Sequence, residues 1–116
     1  MPSPFVWFDN IGADRTASTA FLETVFGWTS QDIGPMTFLS QPDSDNPFAA
    51  TADPMDQISG WVPYVEVTDL AAATSRARDA GADIVAENLK GPVGDATFLR
   101  DPGGAALALW KRAEAK

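Results

Sequence analysis

Residues 98–110 read FLRDPGGAALALW. The step Asp101-Pro102-Gly103-Gly104 is a turn by its chemistry: the proline ring presets φ, and either glycine can take a positive φ. Beyond it, Ala105 to Trp110 reads as a strand with almost nothing polar in it. Leu107 and Leu109 fall on one face of that strand, and Ala106, Ala108 and Trp110 on the other. The leucine face packs a core. The alanine face leaves room, and what fills that room depends on the rest of the chain.

Upstream, Asp95–Arg100 is the strand that the turn folds back on, with Gly91-Pro-Val-Gly94 as a turn before it and Asp83–Glu87 as a strand before that. Thr68 or Asp69 caps a helix running to Ala80, with an apolar stripe at Leu70, Ala73, Ala77 and Ala80, solvent-facing Arg76, Arg78 and Asp79, and Gly81 to end it. Trp61–Val67 is the strand that opens this half, and Pro63 marks an edge or bulge in it.

The first half repeats the order. Phe5–Phe8 is a short strand, and Asp14 caps a helix through Phe26 whose stripe is Ala17, Ala20, Phe21, Leu22 and Val25. Gly27 sits where a left-handed C-cap residue belongs. Trp28–Ile33, Met36–Gln41 and Phe48–Ala52 are strands, separated by the Gly34-Pro35 turn and the Pro42–Pro47 loop, and Asp53–Gly60 links the halves. The expected fold is α+β: one domain over residues 1–116 made of two βαβββ modules, at about 4–53 and about 60–112, repeated with a period near 55 residues.

Composition narrows the chemistry. With no cysteine and no histidine in 116 residues, zinc fingers, Ser-His-Asp triads, Cys-His dyads and facial triads are excluded by counting. The formal net charge of −8 opposes nucleic acid, since binding would have to overcome repulsion. No apolar run approaches the ~20 residues of a membrane helix. The first residues carry neither a basic nor an apolar signal region, so the expected location is the cytoplasm.

Three segments resemble the vicinal oxygen chelate superfamily, the group of glyoxalases, bleomycin-resistance proteins and extradiol dioxygenases. They are Asp14 with Phe21-Leu-Glu-Thr-Val-Phe-Gly-Trp28, then Trp61-Val-Pro-Tyr-Val-Glu-Val-Thr-Asp-Leu70, then Gly91-Pro-Val-Gly94 with Phe98-Leu-Arg-Asp-Pro-Gly-Gly104 and Leu109-Trp110. The resemblance implies two βαβββ modules whose curved sheets form a cavity, and a homodimer. In metalloenzyme members the ligands come from strands lining that cavity. Carried over singly, the first-strand histidine falls at Trp7, the fifth-strand ligand at Val62, and the glutamate of the DP-x-G-x-x-x-E pattern at Ala108. On the fourth strand Thr51 and Asp53 are both candidates. None of the three assigned positions can ligate a metal, so no metal and no other cofactor is expected.

Strand alternation sends Val65 and Val67 under the helices and Val62, Tyr64 and Glu66 to the concave side, with Trp7, Asp9, Ala106, Ala108 and Trp110. Trp7, Asp9, Val62, Tyr64, Glu66, Ala108 and Trp110 are therefore the expected ligand-binding residues. Aromatic walls and two carboxylates suit a small cationic or aromatic organic molecule, which the protein would sequester without a metal. In a second reading Glu66 is the general base of a metal-independent isomerase or lyase, with Tyr64 or Arg100 stabilising the charge. Glu66 can also pair with Arg100 across the sheet. In a third, the protein only mediates interactions and its own side chains fill the cavity.

Overall fold

The computed structural model describes residues 2–91 and 93–113. Its elements are β1 (Phe5–Ile11), α1 (Arg15–Phe26), β2 (Thr29–Ile33), β3 (Met36–Ser40), β4 (Ala49–Ala52), β5 (Gly60–Glu66), α2 (Leu70–Asp79), β6 (Asp83–Lys90), β7 (Gly94–Arg100) and β8 (Ala106–Arg112). The order β-α-β-β-β occurs twice. The helix caps form as their chemistry dictates: the Asp14 carboxylate accepts from the Ala17 N–H and the Asp69 carboxylate from the Ala72 N–H, each at 3.0 Å. Gly27 closes α1 in the left-handed region at φ 70°.

Two compact units divide the chain, one from Trp7 to Val62 and one formed by the described residues up to Val6 with those from Pro63 onward. In the first unit the strand order is β2-β3-β4-β1, with β1 parallel to β4 and the other pairs antiparallel. In the second it is β5-β8-β7-β6, with β5 parallel to β8 and the others antiparallel. Each unit therefore has the same connectivity, its first strand lying beside its last, as the repeat predicts.

Several strands outrun their expected ends. β1 continues through Asn10 to Ile11, and β8 continues to Arg112. β6 reaches Lys90 because it absorbs register shifts between Ile84 and Leu89, where Asn88 takes φ 56°. Of the expected turn at 91–94, Pro92 lies outside the described residues.

The core of the second unit follows the sequence pattern. Val67, Leu70, Ala73, Leu99 and Leu109 form it, with Val65, Ala77, Ala82, Ile84 and Leu107 packed around. In the first unit Leu22, Leu39 and Ala49 form a smaller core, flanked by Trp28 and Phe48. Here the expected stripe of α1 is corrected. Only Leu22 of that stripe is buried, while Phe21 and Val25 are 61% and 53% exposed. The reason is a hydroxyl pair: Thr19 Oγ1 lies 2.7 Å from Thr51 Oγ1 of β4 and donates to the Arg15 carbonyl. That pair, with Leu22 one turn on, turns the Ala17-Phe21-Val25 row away from the sheet.

The second helix uses the same device. Thr74, five residues after its cap as Thr19 is after its own, donates to Thr97 Oγ1 of β7 at 3.0 Å. Thr97 Oγ1 also accepts from the Asn88 N–H at 3.1 Å, so one buried hydroxyl ties α2, β7 and the β6 irregularity together. A Thr97→Val change leaves two donors without their acceptor and is expected to cost about 2 kcal/mol, whereas Thr74→Val removes one donor and costs about 1 kcal/mol. Urea unfolding of both variants checks the order.

Candidate functional site

Side chains able to bind or react collect on the helix-free face of each unit. In the first unit, the β1–β4 register sets Asp9 opposite Ala50 and Ile11 opposite Ala52, and the β3–β4 register sets Phe38 opposite Ala50. Trp7, Asp9, Phe38 and Ala50 therefore share one face, while Thr51 shares the other with α1. Asp9 is only 2% exposed. Among its interactions is a 2.8 Å hydrogen bond donated by Trp7 Nε1 to Asp9 Oδ1. The Trp7 ring meets Phe38 edge-on, with centroids 5.3 Å apart. A carboxylate buried this deeply carries a large desolvation cost, which the indole N–H offsets in part, and the aromatic faces beside it are surroundings that a cation would also use.

The fourth-strand assignment is corrected by the same register. Thr51 spends its hydroxyl on Thr19, and Asp53 pairs with Arg15 Nε at 3.5 Å. The β4 positions on the Asp9 face are Ala50 and Ala52, which offer no ligand atom. Val62, the expected fifth-strand position, is fully buried. Among the described residues no three His, Cys, Asp or Glu side chains converge on a point where a metal ion would sit.

In the second unit, Tyr64 of β5 and Phe98 of β7 both lie opposite Ala108 of β8. Their rings meet over that alanine at right angles, centroids 5.8 Å apart. Ala108 is fully buried as a result. Part of the room on the alanine face is thus filled by the protein's own aromatics.

Two residues along, Glu66 lies opposite Trp110 and diagonal to Arg112. Arg112 donates from Nε and Nη2 to the two Glu66 carboxylate oxygens at 3.1 and 3.4 Å, and its guanidinium lies 4.9 Å from the Trp110 ring centre. The expected Glu66–Arg100 pair does not form. Arg100 lies directly opposite Asp83 on β6 and bonds it at 2.6 Å, because the directly facing neighbour wins over one two strands away.

Phe38, Phe98 and Arg112 are the additions that sequence reasoning missed. Extending β8 by its own parity from Trp110 to Arg112 would have found the last. Trp110 itself depends on a glycine: a Cβ at Gly94, one strand over, would collide with its indole nitrogen and with the Lys111 carbonyl.

No protein-family model and no curated protein sequence matches the chain. Solved structures do. A methylmalonyl-CoA epimerase from Mycobacterium tuberculosis is 20% identical with a TM-score of 0.62, the match covering 95% of this chain and 88% of that one. A variant of the Streptomyces coelicolor methylmalonyl-CoA epimerase in complex with 2-nitronate-propionyl-CoA is 16% identical with a TM-score of 0.67, covering 100% and 99%. A glyoxalase/bleomycin resistance protein/dioxygenase superfamily member from Vibrio splendidus is 16% identical with a TM-score of 0.61, covering 90% and 95%. The chain has the glyoxalase/bleomycin-resistance fold. No described helix is long and apolar enough to cross a membrane.

Gly94→Ala is expected to displace the Trp110 indole and to destabilise the protein by about 1–3 kcal/mol through overpacking. A shifted tryptophan emission maximum together with a lower urea midpoint checks both effects.

Proposed function

We propose that the protein binds a small organic cation or cationic aromatic molecule without a divalent metal, on the Trp7–Asp9–Phe38 face of its first unit. The observation that carries this reading is the pairing of a buried carboxylate with aromatic rings, on a face where the positions comparable to metal ligands are Trp7 and alanines. A carboxylate beside an indole attracts a cation by charge and by the ring quadrupole together. The fold likeness to a protein complexed with 2-nitronate-propionyl-CoA supports a small organic ligand over a macromolecule. The protein is proposed to act in the cytoplasm as a homodimer.

A thermal-shift screen of aromatic ammonium compounds, benzyltrimethylammonium first, tests this. A ligand at ~100 times its Kd stabilises the folded state by roughly 2.7 kcal/mol, a shift on the order of 10 °C at this size. Asp9→Asn should weaken that ligand about tenfold or more while leaving the far-ultraviolet circular dichroism intact. Stoichiometric zinc, nickel, iron or manganese in protein purified without a tag would overturn the metal-free reading.

The likeness to epimerases favours a second reading, a metal-independent isomerase or lyase with Glu66 as general base. In that reading the Glu66–Arg112 pair opens when substrate arrives, since Arg112 otherwise engages both carboxylate oxygens. Solvent deuterium exchange into a carbon acid such as methylmalonyl-CoA, lost in Glu66→Gln with binding retained, would establish it. No exchange in the unaltered protein rejects it for that substrate.

A further inference from the structure

Within the first unit a cavity of about 280 Å³ opens on the helix-covered side, lined by Asn10, Ala17, Ser18, Phe21, Leu22 and Trp61. It lies on the face of β1 opposite to Asp9, because Asn10 has the other parity, and so is distinct from the face discussed above. Its volume is just below the ~300–1,000 Å³ usual for small-molecule sites.

The side chains around it are open to a ligand. Several polar groups and rings of this unit are engaged with one another: Trp7 with Asp9 and Phe38, Thr19 with Thr51, Thr37 with Asp32, Ser30 with Glu23, and Trp28 with Phe26 and Phe48. Around the cavity, among the described residues, neither the Asn10 carboxamide nor the Ser18 hydroxyl has a side-chain hydrogen bond. Neither the Phe21 nor the Trp61 ring has a ring partner. Both polar groups approach the same spot, Asn10 Oδ1 and Ser18 Oγ each standing 3.8 Å from where a Gly12 Cβ would be. Phe21 of α1 and Trp61 of β5 are 61% and 46% exposed, so both present aromatic surface that a ligand in the cavity can cover.

We propose that this cavity is a second binding site, for a neutral, flat molecule that carries an amide or an equivalent donor–acceptor pair. No charged side chain lines the walls, so neither an anion nor a cation is paired there. The Asn10 carboxamide offers a donor and an acceptor side by side, which matches an amide edge in both directions. Ser18 adds a hydroxyl that can serve either role, and the two rings give the apolar walls that a planar ligand stacks on. Leu22 and Ala17 close the apolar remainder.

The test is saturation-transfer NMR with benzamide, benzoate and benzylammonium against the full chain. Benzamide should bind with a Kd on the order of 1 mM, as a fragment of this size does, and bind more tightly than either charged analogue. Phe21→Ala and Trp61→Ala should each weaken benzamide about tenfold. Both side chains are exposed, so the fold survives the changes. Val25→Ala, one turn further along α1 and outside the cavity, should leave binding as it was. Equal binding of all three probes overturns the proposal, as does benzamide binding that survives both aromatic substitutions. Absence of any benzamide signal up to roughly 10 mM also overturns it, including the case in which sedimentation shows a second copy covering Phe21 and Trp61. Since Asp9 plays no part in these readouts, the proposal can fail while the cation-binding reading stands, and the reverse.

Discussion

The Asp101 carboxylate accepts hydrogen bonds from the backbone N–H groups of Gly103 and Ala105, both at 3.0 Å, while its own N–H reaches the Ala105 carbonyl at 2.8 Å. Gly104, at φ 94°, completes the turn. This small knot sets the register of β7 against β8, pairing Arg100 with Ala106 and Phe98 with Ala108. A slip of one residue would exchange the two faces of β8. Leu107 and Leu109 would leave α2, and Ala108 would no longer lie beneath Tyr64 and Phe98. The core and the chemically equipped face of this unit both rest on one exposed turn.

A second constraint is repeated in each unit. A threonine on the helix, five residues after the capping aspartate, meets a threonine hydroxyl on the sheet. The hydroxyl pair fixes the roll of the helix more sharply than apolar contacts do, because hydrogen bonding is directional. In α2 the resulting roll agrees with the apolar stripe at Leu70, Ala73 and Ala77, while Ala80, the last expected member, is the exposed C-cap residue beyond the helix end at Asp79. In α1 it does not agree. Phe21 and Val25 are left outside, and the cavity beside Phe21 and Trp61 follows from that disagreement.

The two carboxylates expected to work together have different surroundings. Asp9 is buried beside aromatic rings with an indole N–H on one oxygen. Glu66 is partly exposed, and both its oxygens accept from Arg112. The first carboxylate is withdrawn from water among aromatic rings, and the second is held by a guanidinium at the edge of the sheet face. The fold is shared with methylmalonyl-CoA epimerases, and a shared fold does not carry their chemistry with it.

The element order, the Asp14 cap, Gly27, the α2 stripe as far as Ala77 and the parity of β8 were legible in the residues, because each depends on neighbours within a few positions, whereas the choice of Asp69 over Thr68 as the second cap was made by the fold. The Asp9 and Ala108 faces were legible for the same reason, since alternation along a strand is local. Partner choice was not. That Glu66 meets Arg112 instead of Arg100, that Thr51 turns to Thr19, and that Tyr64 and Phe98 close over Ala108 are consequences of register between strands distant in sequence. Local periodicity says which face a side chain takes; only the pairing of strands and the directional hydrogen bonds between layers decide what it meets there.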